Sequence, residues 1–249
     1  MQTDRLGCTA FIVFQKANIS FPLHLDSFQL EHGTQSEKIL RKFFPEVCEE
    51  IRGVSDSIGT DYTSFISWML CMGCCMYNLE SNIPVEIRGC TAFAYAKNGN
   101  VIYGRNNDLP PYLQDGSKSE IYSPANGNRF NITTSSFING EEGLNEHGLA
   151  VAMTFVMTRL EKIKPGFNSC FIVRYLLEKA SSTDNYLETT IRLLKGEYGF
   201  MCQYEDPNFQ TVWSSIFNLK SLMIYRAEGD PRKKKFVTDS RLHDMKFGR

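Results

Sequence analysis

The stretch Gly89-Cys90-Thr91-Ala92-Phe93-Ala94-Tyr95-Ala96-Lys97-Asn98-Gly99-Asn100-Val101-Ile102-Tyr103-Gly104-Arg105-Asn106-Asn107-Asp108 reads as a β-hairpin. Two β-prone runs, Cys90–Ala96 and Val101–Gly104, flank the turn Asn98-Gly99-Asn100. Asn-Gly between apolar runs is the strongest short hairpin signal, because both central positions of a tight type I′ turn need φ > 0. The outward and return runs are of similar length, so Arg105, Asn107 and Asp108 come back beside Cys90 without any distant contact. Cys90 itself opens a strand, follows a glycine and precedes the hydroxyl of Thr91.

Upstream, the chain reads as mainly helical. Residues 1–35 are poorly periodic, apart from a strand-like run at Thr9–Phe14. From Ser36, a capping residue, Ile39, Leu40, Phe43 and Phe44 share one helical face. Pro45 interrupts, Glu46–Ile51 resumes and Gly53 closes the segment. Asp61 or Thr63 opens a third helix that runs through a Met/Cys-rich stretch to Leu79. Downstream, Phe130–Phe137 is extended, Gly143–Gly148 is a tight turn and Leu149–Val156 is a buried strand. Phe167–Lys179 is an amphipathic helix with Phe171, Tyr175 and Leu176 near one face. Asp184 caps another helix to Lys195, stopped by Gly196. Thr211–Leu219 and Leu222–Ala227 form a closing hairpin about Lys220-Ser221. Runs of strands, then helices, then strands imply a layered α+β domain.

Bulk properties narrow the function. The 249 residues carry 27 Lys plus Arg against 28 Asp plus Glu, a formal charge of −1. No basic excess exists to neutralise phosphates, so nucleic acid is excluded as a partner. The dense basic run Arg232-Lys233-Lys234-Lys235 reads as a solvated turn. No window reaches the ~18 apolar residues of a membrane span. The start, MQTDRLGCTAFIVF, lacks the apolar core of a signal peptide, so a cytoplasmic location is expected. The eight cysteines are irregularly spaced, which is not a disulfide scaffold. Cys71, Cys74 and Cys75 lie in an apolar helical run with no second ligand pair, so they read as buried structural residues and no metal is expected. Gly7-Cys8-Thr9-Ala10-Phe11 repeats residues 89–93 without the arginine and aspartate return, and reads as coincidence.

Three ordered motifs carry a family resemblance. The runs Gly89-Cys90-Thr91-Ala92-Phe93 and Gly104-Arg105-Asn106-Asn107-Asp108 resemble the choloylglycine hydrolase and penicillin acylase group. The resemblance is closest to its acyl-coenzyme A:6-aminopenicillanic acid acyltransferase branch. Gly143-Leu144-Asn145-Glu146-His147-Gly148-Leu149-Ala150 resembles that group's G-x-N-E-x-G-L turn. Glu49-Glu50-Ile51-Arg52-Gly53 resembles the branch's propeptide. The likeness covers most of residues 20–180 and again 194–242.

The resemblance implies an N-terminal-nucleophile hydrolase with Cys90 as nucleophile and its own α-amino group as base. That amine's reference pKa of about 7.7–8.0 leaves a neutral fraction near neutrality. A thiol near about 8.5 needs only a modest push to become thiolate. By similarity, Asp108 orients the amine and Arg105 supports the thiolate. An internal cysteine has no free amine, so residues 1–89 must first be removed by attack of Cys90 on the Gly89 carbonyl. The family's oxyanion asparagine after the G-x-N-E-x-G-L turn is missing from Ala152-Met153-Thr154-Phe155. Thr154 is the candidate oxyanion donor and Asn145 the second, although Asn145 also suits holding its own turn. His147 reads as a solvated turn histidine.

The expected architecture is therefore α+β, the αββα four-layer sandwich of these hydrolases. A helical leader spans residues 1–89 and the hydrolase domain spans 90–249. The family's long middle segment is missing near 184–193, which leaves the sheet open to loss of inner strands. The expected activity is hydrolysis of a linear amide in a small-molecule acyl substrate through a thioester. One alternative is acyl transfer to an amine, with acyl-coenzyme A as donor. The other is an inactive truncated relative. No cofactor and no membrane partner are expected, and association into a homo-oligomer is left open.

Overall fold

The computed structural model describes residues 25–71, 91–106, 118–134, 138–154, 164–181, 183–198, 213–218, 223–228, 230–241 and 244. Three helices come first: α1 (Ser27–Phe43), α2 (Pro45–Ile58) and α3 (Tyr62–Cys71). The first begins earlier, and the second ends later, than periodicity alone indicated. Asp26, not Ser36, caps α1. The Asp26 carboxylate accepts from the Gln29 N–H at 2.8 Å and the Gln29 side chain accepts from the Asp26 N–H at 2.8 Å, a reciprocal capping box. Pro45 does not break a helix but starts α2, where its missing N–H is not needed. That helix passes through Gly53 and stops at Gly59, whose φ of 68° suits glycine. The reading of α3 onward to Leu79 falls outside the described residues.

The hairpin forms as read. Strands β1 (Thr91–Lys97) and β2 (Asn100–Asn106) pair antiparallel from Thr91↔Asn106 to Lys97↔Asn100. Asn98 (φ 52°) and Gly99 (φ 80°) make the turn, both in the left-handed region that a type I′ turn demands.

A four-stranded antiparallel meander follows: β3 (Lys118–Tyr122), β4 (Phe130–Thr134), β5 (Glu142–Asn145) and β6 (Ala150–Ala152), in that spatial order. Helix α4 (Ser169–Lys179) lies on its inner face, where Phe130 and Ile132 pack with Val173 and Leu177. Two sequence readings are corrected here. Glu142–Asn145 is a strand, so the turn is confined to Glu146–Gly148. The strand after it covers only Ala150–Ala152, and these residues are exposed or half-buried rather than buried. Its outer row runs Ile121, Asn131, Leu144, Ala150 across the sheet, and nothing in the described residues covers Ile121, which is 73% exposed.

Helix α5 (Thr183–Leu194) runs without a break through the region read as a deletion, and Gly196 (φ 76°) ends it. A three-stranded sheet closes the chain: β7 (Trp213–Asn218), β8 (Met223–Glu228) and β9 (Val237–Asp239), paired in order. The strand β9 went unread because it is only three residues long, and Val237 and Thr238 are exposed. The architecture is α+β with antiparallel sheets.

The molecule divides into two compact units. One combines the described leader helices with residues between Asp108 and Ser181. The other takes the β1–β2 hairpin and the chain from Ser182 onward.

Candidate functional site

The residues expected to act divide between described and undescribed parts of the chain. Gly89, Cys90 and Asp108 lie outside the described residues. Arg105 lies on β2 directly opposite Ala92, and Asn106 lies opposite Thr91. The hairpin thus joins the strand that begins one residue after Cys90 to the strand that ends two residues before Asp108.

Asn145 is buried and fully engaged. Its amide donates to the carbonyls of Leu177 (3.1 Å) and Ala180 (2.9 Å) at the end of α4. Its side-chain oxygen accepts from the N–H groups of His147 (3.1 Å) and Leu149 (3.0 Å). Both of its donor hydrogens and its acceptor are committed to structure. Asn128 donates to the same two carbonyls, at 3.2 and 2.8 Å. Two asparagines therefore satisfy the carbonyls that a helix leaves unpaired at its C-terminus.

The rest of the G-x-N-E-x-G-L stretch has similar physical reasons. A methyl at Gly143 would collide with the Asn131 carbonyl and the Leu177 side chain. Glu146 accepts from the Arg129 N–H at 2.8 Å and pairs with its guanidinium at 3.1 Å, which holds the Glu146 carboxyl below its usual range. Gly148 takes φ 83°, closed to most side chains. His147 is exposed at the turn. The motif builds the joint between β5, β6 and α4.

Thr154 lies two residues past β6 and is exposed to solvent. Of the cysteines singled out, Cys71 is buried and its thiol meets the Gln29 carbonyl at 3.5 Å. Cys74 and Cys75 lie outside the described residues. Burial pushes the Cys48 thiol up to about 12, which makes it inert as a nucleophile.

Sequence reasoning missed the most heavily invested polar residue, Arg174. Its guanidinium is buried in α4 between Glu50 (2.8 Å) and Glu178 (3.1 Å) and donates to the Ile138 carbonyl at 2.6 Å. It also lies 4.5 Å from the ring centre of Tyr122. Burial opposes its charge, and the two glutamates outweigh that and raise its pKa. The signal was present as Arg174 and Glu178 at i, i+4 within an otherwise apolar helix.

Residues 95–189 match the family model of acyl-coenzyme A:6-aminopenicillanic acid acyl-transferase. The match spans most of the hairpin, the meander, α4 and the first half of α5. It contains Arg105, Asp108, Asn145 and Thr154, and begins five residues after Cys90. The likeness to that acyl-transferase family thus rests on the middle of the chain. No curated protein matches the chain. Among the described residues no helix is long and apolar enough to cross a membrane.

Proposed function

We propose that this protein is a cysteine N-terminal-nucleophile enzyme that cleaves a linear amide after cutting its own Gly89–Cys90 bond. The observation that carries the reading is the hairpin register, taken with the acyl-transferase match over Arg105 and Asp108. Facing strand residues sit about 4.5–5.5 Å apart and consecutive Cα atoms about 3.8 Å. In that register Thr91, the residue after Cys90, is the partner of Asn106, two residues before Asp108. The finer architecture in this reading is the αββα sandwich, with the hairpin as part of an inner sheet.

In the first step the Cys90 thiolate attacks the Gly89 carbonyl carbon. A thioester forms, the peptide C–N bond breaks, and the Cys90 nitrogen leaves as an amine with the proton. Water then hydrolyses the thioester, giving a Gly89 carboxylate and a free thiol. In each later turnover the α-amine takes the thiol proton and the thiolate attacks the substrate amide. The leaving amine takes up that proton, and water releases the acyl group as an acid. Asp108 orients the α-amine, Arg105 supports the thiolate, and Thr154 donates to the oxyanion, because both amide hydrogens of Asn145 are taken. An amine in place of water makes the protein an acyltransferase, with acyl-coenzyme A as donor. A cytoplasmic setting accords with the unbridged thiol of Cys48.

Intact-mass measurement of the purified protein tests this. Two fragments, one beginning at Cys90, are expected from the wild type, and a single chain from Cys90→Ala. Scission in Cys90→Ala, or an uncut wild type, overturns the reading. Product that appears only with acyl-coenzyme A and an amine acceptor assigns transfer over hydrolysis.

A second reading is an inactive relative. It is favoured by apolar side chains left bare on the strands: Phe93 (63% exposed), Tyr95 (53%) and Leu144 (51%). It predicts an uncut chain and no turnover of any acyl amide.

A further inference from the structure

Charge is unevenly spread along the chain. From β7 onward, residues 213–249 carry nine Lys plus Arg against four Asp plus Glu, a formal +5 in a chain whose total is −1. Such asymmetry accompanies anionic partners. Its densest part is the turn between β8 and β9, and Asp230 holds that turn in shape. The Asp230 carboxylate accepts from the Arg232 N–H at 2.9 Å and pairs with the Arg232 guanidinium at 2.9 Å. The Asp230 carbonyl accepts from the N–H groups of Lys233 and Lys234, both at 3.0 Å. Pro231 beside it is buried. Arg232 is thus neutralised, whereas Lys233, Lys234 and Lys235 are exposed, and among the described residues no carboxylate pairs with them.

Lysines near a sheet edge commonly guard it against pairing with another strand, and guards sit on the edge strand itself. Here β9 is the edge of its sheet, and it carries Val237 and Thr238 bare, with Val237 67% exposed. The lysines stand in the turn before it. A solvated turn accounts for the lysines but not for Val237. Cations beside a bare apolar side chain suit a surface of anionic headgroups over hydrocarbon, where lysines meet phosphates and the apolar group enters between them. Nucleic-acid phosphates would take the lysines and leave Val237 in water.

We infer that Lys233, Lys234 and Lys235, together with Val237, form a docking surface for an anionic membrane face. The contact is peripheral, at headgroup level, and needs no membrane-spanning helix. It does not depend on whether the bond before Cys90 is cut. Only its use, bringing an acyl-amide enzyme to the layer where acyl chains partition, rests on the proposed activity.

The test is co-sedimentation of the full chain with vesicles of phosphatidylcholine alone or mixed with phosphatidylserine. Binding to the phosphatidylserine vesicles alone is expected, because each lysine near such a surface strengthens binding by about 5-fold. Raising the salt from about 0.1 M to about 1 M shortens the screening length from about 10 Å to about 3 Å and is expected to release the protein. Changing Lys233, Lys234 and Lys235 together to Gln is expected to weaken binding by about 100-fold. Removing equal charge elsewhere, by changing the exposed Lys38, Lys97 and Lys164 to Gln, is expected to weaken it by less than about 5-fold. Val237→Ser, at unchanged charge, is expected to weaken it by about 5- to 10-fold. No binding to phosphatidylserine vesicles overturns the inference, as does equal loss in the two lysine variants. Insensitivity to Val237→Ser, or tighter binding to duplex DNA than to these vesicles at the same salt, assigns the turn to a soluble polyanion and overturns it too. The salt series reads the unaltered chain, so misfolding of a variant cannot decide the result.

Discussion

At the residue scale, Asn145 and Thr154 are the side chains whose roles separate most cleanly. Asn145 satisfies two carbonyls of α4 and two turn N–H groups. Replacing it by alanine removes the acceptor of the two turn N–H groups and leaves the two carbonyls to Asn128 alone, at roughly 1–3 kcal/mol for a buried group left unsatisfied. Asn145→Ala is therefore expected to lower the denaturant midpoint clearly. Thr154 is exposed, so Thr154→Ala is expected to leave stability within about 0.5 kcal/mol. If Thr154 donates to the oxyanion, the same change lowers kcat by about 10²–10³, with Thr154→Ser retaining most activity. His32 gives a pH signature. It is buried against Phe28, with ring centres 5.8 Å apart, and burial lowers its pKa below the ordinary 6.5. The native state then binds fewer protons than the unfolded chain near that value. Its contribution is fully present above pH 6.5 and is lost as pH falls below it. Melting temperatures at pH 7.5 and 5.5 are expected to differ less in His32→Leu than in the wild type.

At the element scale, two glycines that look alike in sequence behave differently. A methyl at Gly143 meets the backbone carbonyl of Asn131 as well as Leu177, and the sheet register leaves neither room to move. Gly143→Ala is expected to destabilise by more than about 2 kcal/mol. The nearest atoms to a methyl at Gly104 are those of the Phe93 ring, which is 63% exposed and has room to swing aside. Gly104→Ala is expected to cost under about 1 kcal/mol. Thermal unfolding of the two variants side by side checks both values. The hairpin was legible because Asn98-Gly99 names its own turn type. The first half of α1 was not, because its buried stripe is Gln29, His32, Gly33, Ser36 and Leu40. The spacing is helical, but the residue types are polar or small, so hydrophobic periodicity passes over it. The Asp26 to Gln29 capping box was the signal that marked the start.

At the scale of the whole molecule, the leader helices pack against α4. Its likeness to a propeptide implies a cut before Cys90, and its helices supply Glu46, Glu50 and Phe44 to α4. A chain beginning at Cys90 and expressed without the leader is expected to be insoluble or to unfold well below the full chain. Soluble, cooperatively folding protein from that shorter chain would count against the leader as a structural layer.

The amino-acid sequence by itself determined what depends on neighbours along the chain. The β1–β2 turn, the caps and the helical span of α4 are all set by residues within a few positions of one another. Only the tertiary structure decided which residues of the G-x-N-E-x-G-L stretch are structural and where Arg174 finds its carboxylates. It also decided that a segment read as removable is packed into the unit it precedes. Those outcomes join residues well apart in the chain, from 32 positions for Asn145 and Leu177 to 124 for Glu50 and Arg174. Side-chain burial and charge pairing at such separations follow from packing, which no local pattern encodes.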